Sequence, residues 1–191
     1  MTRGIILSFI LVFSCLSFSQ AQELPFSNIA KTPAVYNSGT ISARMIEGLG
    51  FRYYWATEGL RTEDLAFKPG EDSRSAMETI VHIHGLSSFL LSAFGNEVTA
   101  LNDVDKTDFK GLRKATLLNL KQAYALLMST TDEDFKSYEF PMGGGNKLPF
   151  WNAINGPIED AVWHTGQIVM MRRMSSNPLP KGVNVLAGVK N

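Results

Sequence analysis

Cysteine is nearly missing from this chain: its 191 residues hold one, Cys15, and that one sits inside the first apolar run. If Cys15 leaves with a cleaved leader, the remaining protein has no disulfide and no thiol nucleophile, which excludes zinc ribbons and cysteine proteases. Histidine is scarce as well, with three residues, His82, His84 and His164. Charge of one sign is not in excess, since 18 Lys and Arg face 18 Asp and Glu. No block of five like charges occurs, so nothing points to nucleic acid as a partner. Long apolar runs are limited to one, the uncharged stretch of about fifteen residues from Gly4 to Phe18, short of the roughly 20 that span a bilayer.

That run follows the single basic residue Arg3 and ends in Ser19-Gln20-Ala21, the pattern of a secretory signal peptide over 1–21, cleaved after Ala21. The expected protein is therefore exported, periplasmic or extracellular, with no stable membrane insertion after cleavage. Phe13 and Ser14 make a poor lipobox ahead of Cys15, so a lipoprotein is the lesser reading. About 170 residues remain, enough for one domain burying roughly 70% of its unfolded surface.

Residues 22–39 lack periodicity and read as an irregular leader that wraps or frays. Four segments of helical spacing follow over 40–178. They run from about Ser42 to Leu60, from the Ser75 cap to about Phe94, from about Thr107 to Met128, and from Trp151 or Pro157 to about Ser175. Ser75 and Glu78 have the spacing of a capping box. "KSYEF" and "KLPF" flank "GGGN" and predict a small hairpin or irregular insert before the last helix. Residues 179–191 form a tail. An internal echo, "TEDLAFKPGED" after the first helix and "DEDFKSYEFPMG" after the third, suggests two related helical hairpins. The linker "GNEVTALNDVDK" is long enough to cross a bundle, so the second and third helices need not be antiparallel neighbours. The fold class expected is all-α.

At about 100° per residue, His82 shares a face with Leu86, Phe89 and Ala93, and reads as the inward histidine. His84 lies among Ile80, Ser87, Ser88 and Leu91, a more mixed surface pointing away from it. Glu78 stands four residues before His82, and Asp160 four before His164, so two helices each stack a carboxylate on an imidazole. Such pairs can offer a divalent ion neutral nitrogens and anionic oxygens with positions left for water. Gln167, one turn beyond His164, could orient a ligand or a water. The competing reading is structural: His82 and His164 as hydrogen-bonded core residues, with Glu78 occupied by its capping box. Phe51, Tyr53, Tyr54, Trp55, Trp151 and Trp163 read as core and rim packing. Arg172 and Arg173 read as surface charges complementing the helix dipole.

"METIVHIHGLSSFLL" and "GPIEDAVWHTGQIVMMRRMSSNP" resemble the second and last helices of the DinB-like (DinB/YfiT-type) superfamily, most specifically in "HTGQI" followed by "RR". The resemblance covers roughly residues 40–178. It implies an up-down-down-up four-helix bundle with a three-residue divalent metal site at one end. By position the ligands would be His82, Asp160 and His164. Aspartate stands at 160 where the superfamily has a third histidine, which implies a two-histidine, one-carboxylate site for zinc, manganese, iron or nickel. Characterised relatives include thiol-dependent transferases and isomerases. An exported chain works away from the cytoplasmic thiol pool, so the expected activity is metal-dependent hydrolysis of an unknown small molecule. In that activity Glu78 or Gln167 would position the attacking water. The alternative is a non-catalytic secreted bundle that binds metal or a small ligand. A homodimer is left open by the sequence.

Overall fold

A computed structural model describes residues 23–191. The expected signal peptide and Cys15 lie outside the described residues. The described residues are mostly helical, with four long helices, α1 (Ser38–Thr57), α3 (Ala76–Ser92), α4 (Phe109–Ser129) and α6 (Glu159–Met174). Two short helices, α2 (Thr62–Ala66) and α5 (Asp132–Phe135), follow α1 and α4. They are formed by the two echoed segments. β-structure among the described residues is confined to two small antiparallel hairpins. None of the described helices is long and apolar enough to cross a membrane.

Local chemistry sets the helix starts. Asn37 accepts from the Thr40 amide at 2.8 Å while the Thr40 hydroxyl accepts from the Asn37 amide at 2.9 Å. This capping box starts α1 four residues ahead of the expected Ser42. Ser75 and Glu78 cap α3 reciprocally, as their spacing predicts, at 3.1 and 2.7 Å. Asp108 accepts from the Gly111 amide and starts α4.

Side-chain bonds reveal how the long helices run. Arg113, early in α4, reaches Thr57 and Glu58 at the end of α1, whereas Asn37 at the start of α1 donates to the Thr130 carbonyl beyond α4. These two are antiparallel. Their approach is close at Gly39, where a Cβ would stand 2.5 Å from the Leu127 carbonyl oxygen. Between α3 and α4, His84 lies beside Thr116 and Ser87 beside Asn119, a constant offset along both chains, so these helices are parallel. The linker makes this direction reachable, and Asn119 ties it back by accepting from the Leu101 amide. Arg172 near the end of α6 meets the end of α1, making that pair parallel. Since α1 runs against α4 and with α6, and α3 runs with α4, α3 and α6 are antiparallel, and His82 meets Asp160 between them. The core between them holds Ile46, Leu49, Ile80, Ile83, Leu120 and Ile168, all at or near zero exposure. Each such side chain contributes about 1.5–3 kcal/mol.

The expected hairpin is present: β1 (Glu139–Pro141) pairs with β2 (Lys147–Pro149), Phe140 opposite Leu148. Phe140 stacks on Phe89 of α3 and on Phe150, closing one end of the molecule with aromatic rings. Neither expected start of the last helix is the observed one. Trp151 lies in a single 3-10 turn, and Pro157 in a wide turn where Gly156 leaves helical geometry (ψ −119°). Regular α6 begins at Glu159. The leader wraps: Phe26 is buried over Gly50, and the Ala30 amide donates to Glu47 at 2.7 Å. The tail forms a second hairpin, β3 (Val183–Asn184) with β4 (Val189–Lys190), docked where the Ile29 amide donates to the Gly188 carbonyl.

Three burial assignments are corrected. Arg172 is not a surface charge; it is 2% exposed, and its guanidinium donates to the carbonyls of Trp55, Ala56 and Glu58 at 3.0–3.1 Å. Those carbonyls are the ones that the end of α1 leaves without helical partners. Arg173 does stay exposed. Trp151 and Trp163, read as core or rim, are largely exposed, because both belong to surfaces that no other element covers. His84 is not on a mixed surface: it is 7% exposed in the α3–α4 seam, more buried than His82. A helix with two packed neighbours has two buried faces, and His84 occupies the second.

Candidate metal centre

Asp160 is in the first turn of α6, His164 one turn later, and His82 midway along the antiparallel α3. The i, i+4 spacing on α6 turns Asp160 and His164 the same way, and the antiparallel crossing carries His82 to them. Asp160 bridges the imidazoles, its Oδ2 3.4 Å from Nε2 of His82 and its Oδ1 3.3 Å from Nε2 of His164. The two rings meet edge to face, with centroids 4.6 Å apart and planes at 90°. One donor atom from each of the three residues lies within 4.8 Å of the others.

These spacings bear on what the site can hold. A direct N–H···O bond prefers about 2.7–3.2 Å, shorter than either contact. Bonds of about 2.0–2.1 Å around one tetrahedral ion put neighbouring donors roughly 3.3–3.4 Å apart; Asp160 makes its two contacts of this length through different oxygens, Oδ2 to His82 and Oδ1 to His164. The donor set of two imidazoles and a carboxylate suits a borderline divalent ion. His82 and Asp160 are about one-third exposed and His164 less so, which leaves the centre open to solvent on one side.

Gln167 has a defined role. Its Oε1 accepts from Nδ1–H of His164 at 2.8 Å. With Oε1 as the acceptor, Nδ1 carries a proton and Nε2 is the nitrogen turned towards Asp160, the one that would ligate an ion.

Glu78 does not join the three. Its Oε2 accepts from the Ser75 amide at 2.7 Å and lies 3.4 Å from Nζ of Lys68. The Ser75 bond holds its carboxyl below the usual carboxylate range. The second carboxylate–imidazole pair of the sequence is thus split, with His82 at the centre and Glu78 committed to the helix cap. His84 faces Thr116 of α4, and its Nε2 has no hydrogen-bond partner.

No family model, curated protein or solved structure matches this chain.

The contacts around α6 include one network that spacing alone does not signal. Asp64 of α2 is fully buried and accepts from both Nε and Nη2 of Arg61, from the Ser175 hydroxyl and from the Asn177 amide. Those bonds, the Arg61 pair foremost, hold its carboxyl far below the usual range. Arg172 sits beside it, donating to the Asn177 carbonyl as well as to the end of α1. The network fixes the far end of α6 against α1 and α2, and so fixes the helix that carries two of the three candidate ligands. "RR" and "SSNP" are its signature in the sequence, legible only once their partners more than 100 residues away are known.

Proposed function

We propose that this chain is an exported DinB-like protein whose long helices form an up-down-down-up bundle, and that it is a divalent-metal-dependent hydrolase of a small molecule. The observation that carries this reading is the convergence of His82, Asp160 and His164, one donor atom of each within 4.8 Å of the others, with Gln167 bonded to Nδ1 of His164. The two antiparallel pairs, α1 with α4 and α3 with α6, and the two parallel pairs, α3 with α4 and α1 with α6, support the bundle topology. When bound, a zinc-like ion supplies a water whose pKa falls from 15.7 to about 7, along with polarisation of a substrate carbonyl. The chain's own contribution is to hold two imidazole nitrogens and one carboxylate oxygen in place and to leave one side of the centre accessible. Gln167 keeps His164 in its ligating form.

A second reading, a metal-binding bundle without catalysis, is favoured by one observation: the capping box and Lys68 already engage Glu78, one of the two residues expected to position the attacking water. Protein purified without a histidine tag, analysed for metal, and assayed on a panel of small esters and amides before and after chelation separates the two. Stoichiometric metal with chelator-sensitive hydrolysis supports the hydrolase, and stoichiometric metal with no turnover supports the binder.

Export belongs to the same proposal and rests on the uncharged run after Arg3. Mass spectrometry of protein from its native host is expected to find an N-terminus at or near Gln22. An intact Met1 would reject export, and a lipid-modified Cys15 would replace secretion with anchoring.

A further inference from the structure

One face of α6 has no protein partner. Trp163, Met170 and Met174 are 73%, 52% and 55% exposed. Together with Gln167 they recur at three- and four-residue spacing, one continuous stripe on a helix. The segment leading into α3 stands opposite, and the two walls enclose a groove of about 630 Å³. His164 and Gln167 belong to the same wall, so the groove reaches the candidate centre at His164.

Arg74 is the single Lys, Arg, Asp or Glu side chain lining this space. It is exposed, and it forms no ion pair among the described residues, unlike Arg44, Arg61 and Arg113, each of which has a carboxylate partner. Because α3 and α6 are antiparallel and His82 lies opposite Asp160 and His164, Arg74 is displaced from the centre towards Met170. It precedes His82 by eight positions, beyond the Ser75 cap of α3, and the helical part from Ala76 to His82 alone covers roughly 9 Å along the axis at 1.5 Å per residue. The groove therefore presents the Trp163 indole beside His164, then the thioethers of Met170 and Met174, with an unpaired cation on the methionine side. Methionine and tryptophan adapt to apolar bodies of varied shape, and guanidinium pairs with a carboxylate by two parallel bonds.

We propose that this groove binds a small amphipathic carboxylate, its apolar body on Trp163, Met170 and Met174 and its anionic end on Arg74. The substrate of the proposed hydrolase would then carry its carboxylate at the end of the apolar body away from the group presented at His164. That last step rests on the metal-centre reading, whereas binding of the anion does not.

Two probes keep them apart. Decanoate, an apolar chain with one carboxylate, is titrated into the chelator-treated full chain by calorimetry, with Trp fluorescence as a second readout. Acetohydroxamate, a small chelator too short to reach Arg74, is titrated into the zinc-loaded protein. Decanoate is expected to bind the wild type and to bind Arg74→Gln about tenfold more weakly, with Arg74→Lys between them. Acetohydroxamate is expected to bind both alike. Arg74 makes no intramolecular bond to lose, so neither variant should alter folding, which circular dichroism checks. Equal decanoate affinity in wild type and Arg74→Gln, or no decanoate binding, overturns the groove assignment even if acetohydroxamate binds. Arg74-dependent decanoate binding without acetohydroxamate binding upholds the groove and rejects the metal centre. A dimer that Met170→Glu dissociates, with no decanoate binding, would mean that a second copy covers the stripe, and it also overturns the proposal.

Discussion

Nδ1 of His164 donates to Oε1 of Gln167 across one helical turn, at 2.8 Å, and so determines which nitrogen of the imidazole is free to face Asp160. A histidine that merely filled a core could satisfy either nitrogen. Here the proton is held on the side away from Asp160 and His82, the arrangement that a ligating histidine needs.

Replacing Gln167 with Ala is therefore expected to weaken metal affinity by roughly 10- to 100-fold, the usual effect of removing a group that orients a ligand. Helical content should not change. Gln167→Glu keeps an acceptor for Nδ1–H and is expected to retain most of the affinity. Calorimetric titration of zinc into each chelator-treated variant measures both, and unchanged affinity in Gln167→Ala would show that this bond does not set up the ligand.

Arg172 closes the end of α1 by donating to three of its carbonyls from a buried position. Arg172→Met leaves those carbonyls without their donor and is expected to destabilise the fold by about 3–5 kcal/mol. Arg172→Lys should recover only part of this, since one ammonium cannot cover the spread of a planar guanidinium. Urea denaturation of the three proteins gives the comparison. A loss below about 0.5 kcal/mol, the range of ordinary surface substitutions, would contradict the buried role.

Asp64 makes stability depend on pH in a stated direction. Its folded-state pKa lies below its unfolded value near 3.9, chiefly through the Arg61 hydrogen bonds. The unfolded chain therefore takes up this proton first as pH falls. The stabilisation is fully present above about pH 5 and declines as pH drops through 4 towards the folded-state value. Asp64→Asn should lower stability at neutral pH and flatten this acid limb. Denaturation midpoints measured from pH 7 to pH 3 test it, and parallel pH profiles for wild type and Asp64→Asn would reject the assignment.

What the sequence discloses and what it hides divides along physical lines. The Ser75–Glu78 capping box, the hairpin around Gly143-Gly144-Gly145 and the Asp160–His164 pair are local, decided by residues within a few positions of each other, and their spacing announces them; the Asn37–Thr40 box, equally local, goes unread because its N3 residue is Thr rather than Glu or Gln. The pairing of His82 with Asp160 across 78 positions is not local. It was reachable because both residues belong to strongly patterned helices and because the resemblance named which helices meet. Arg172 was misread because its partners are backbone carbonyls, which every residue carries and no spacing marks. The exposure of His84 was misread for a related reason: a helical wheel tells which residues share a face but not how many faces a neighbour covers. Trp163 shows the opposite error, a large aromatic assigned to packing that the fold leaves on the open wall of a groove.

The central claim is that His82, Asp160 and His164 bind one divalent ion together, and the most direct test is calorimetric titration of zinc into the chelator-treated wild type and its histidine variants. Wild type is expected to bind one equivalent, and His82→Ala and His164→Ala to bind none while keeping their helical signal. Asp160→Asn should bind more weakly because its amide oxygen brings no charge, and Asp160→His tightly through a third nitrogen. His84→Ala should bind like wild type but melt earlier, since it opens space in the α3–α4 seam. Equal zinc binding by wild type and His164→Ala, or no binding by wild type, would contradict the claim.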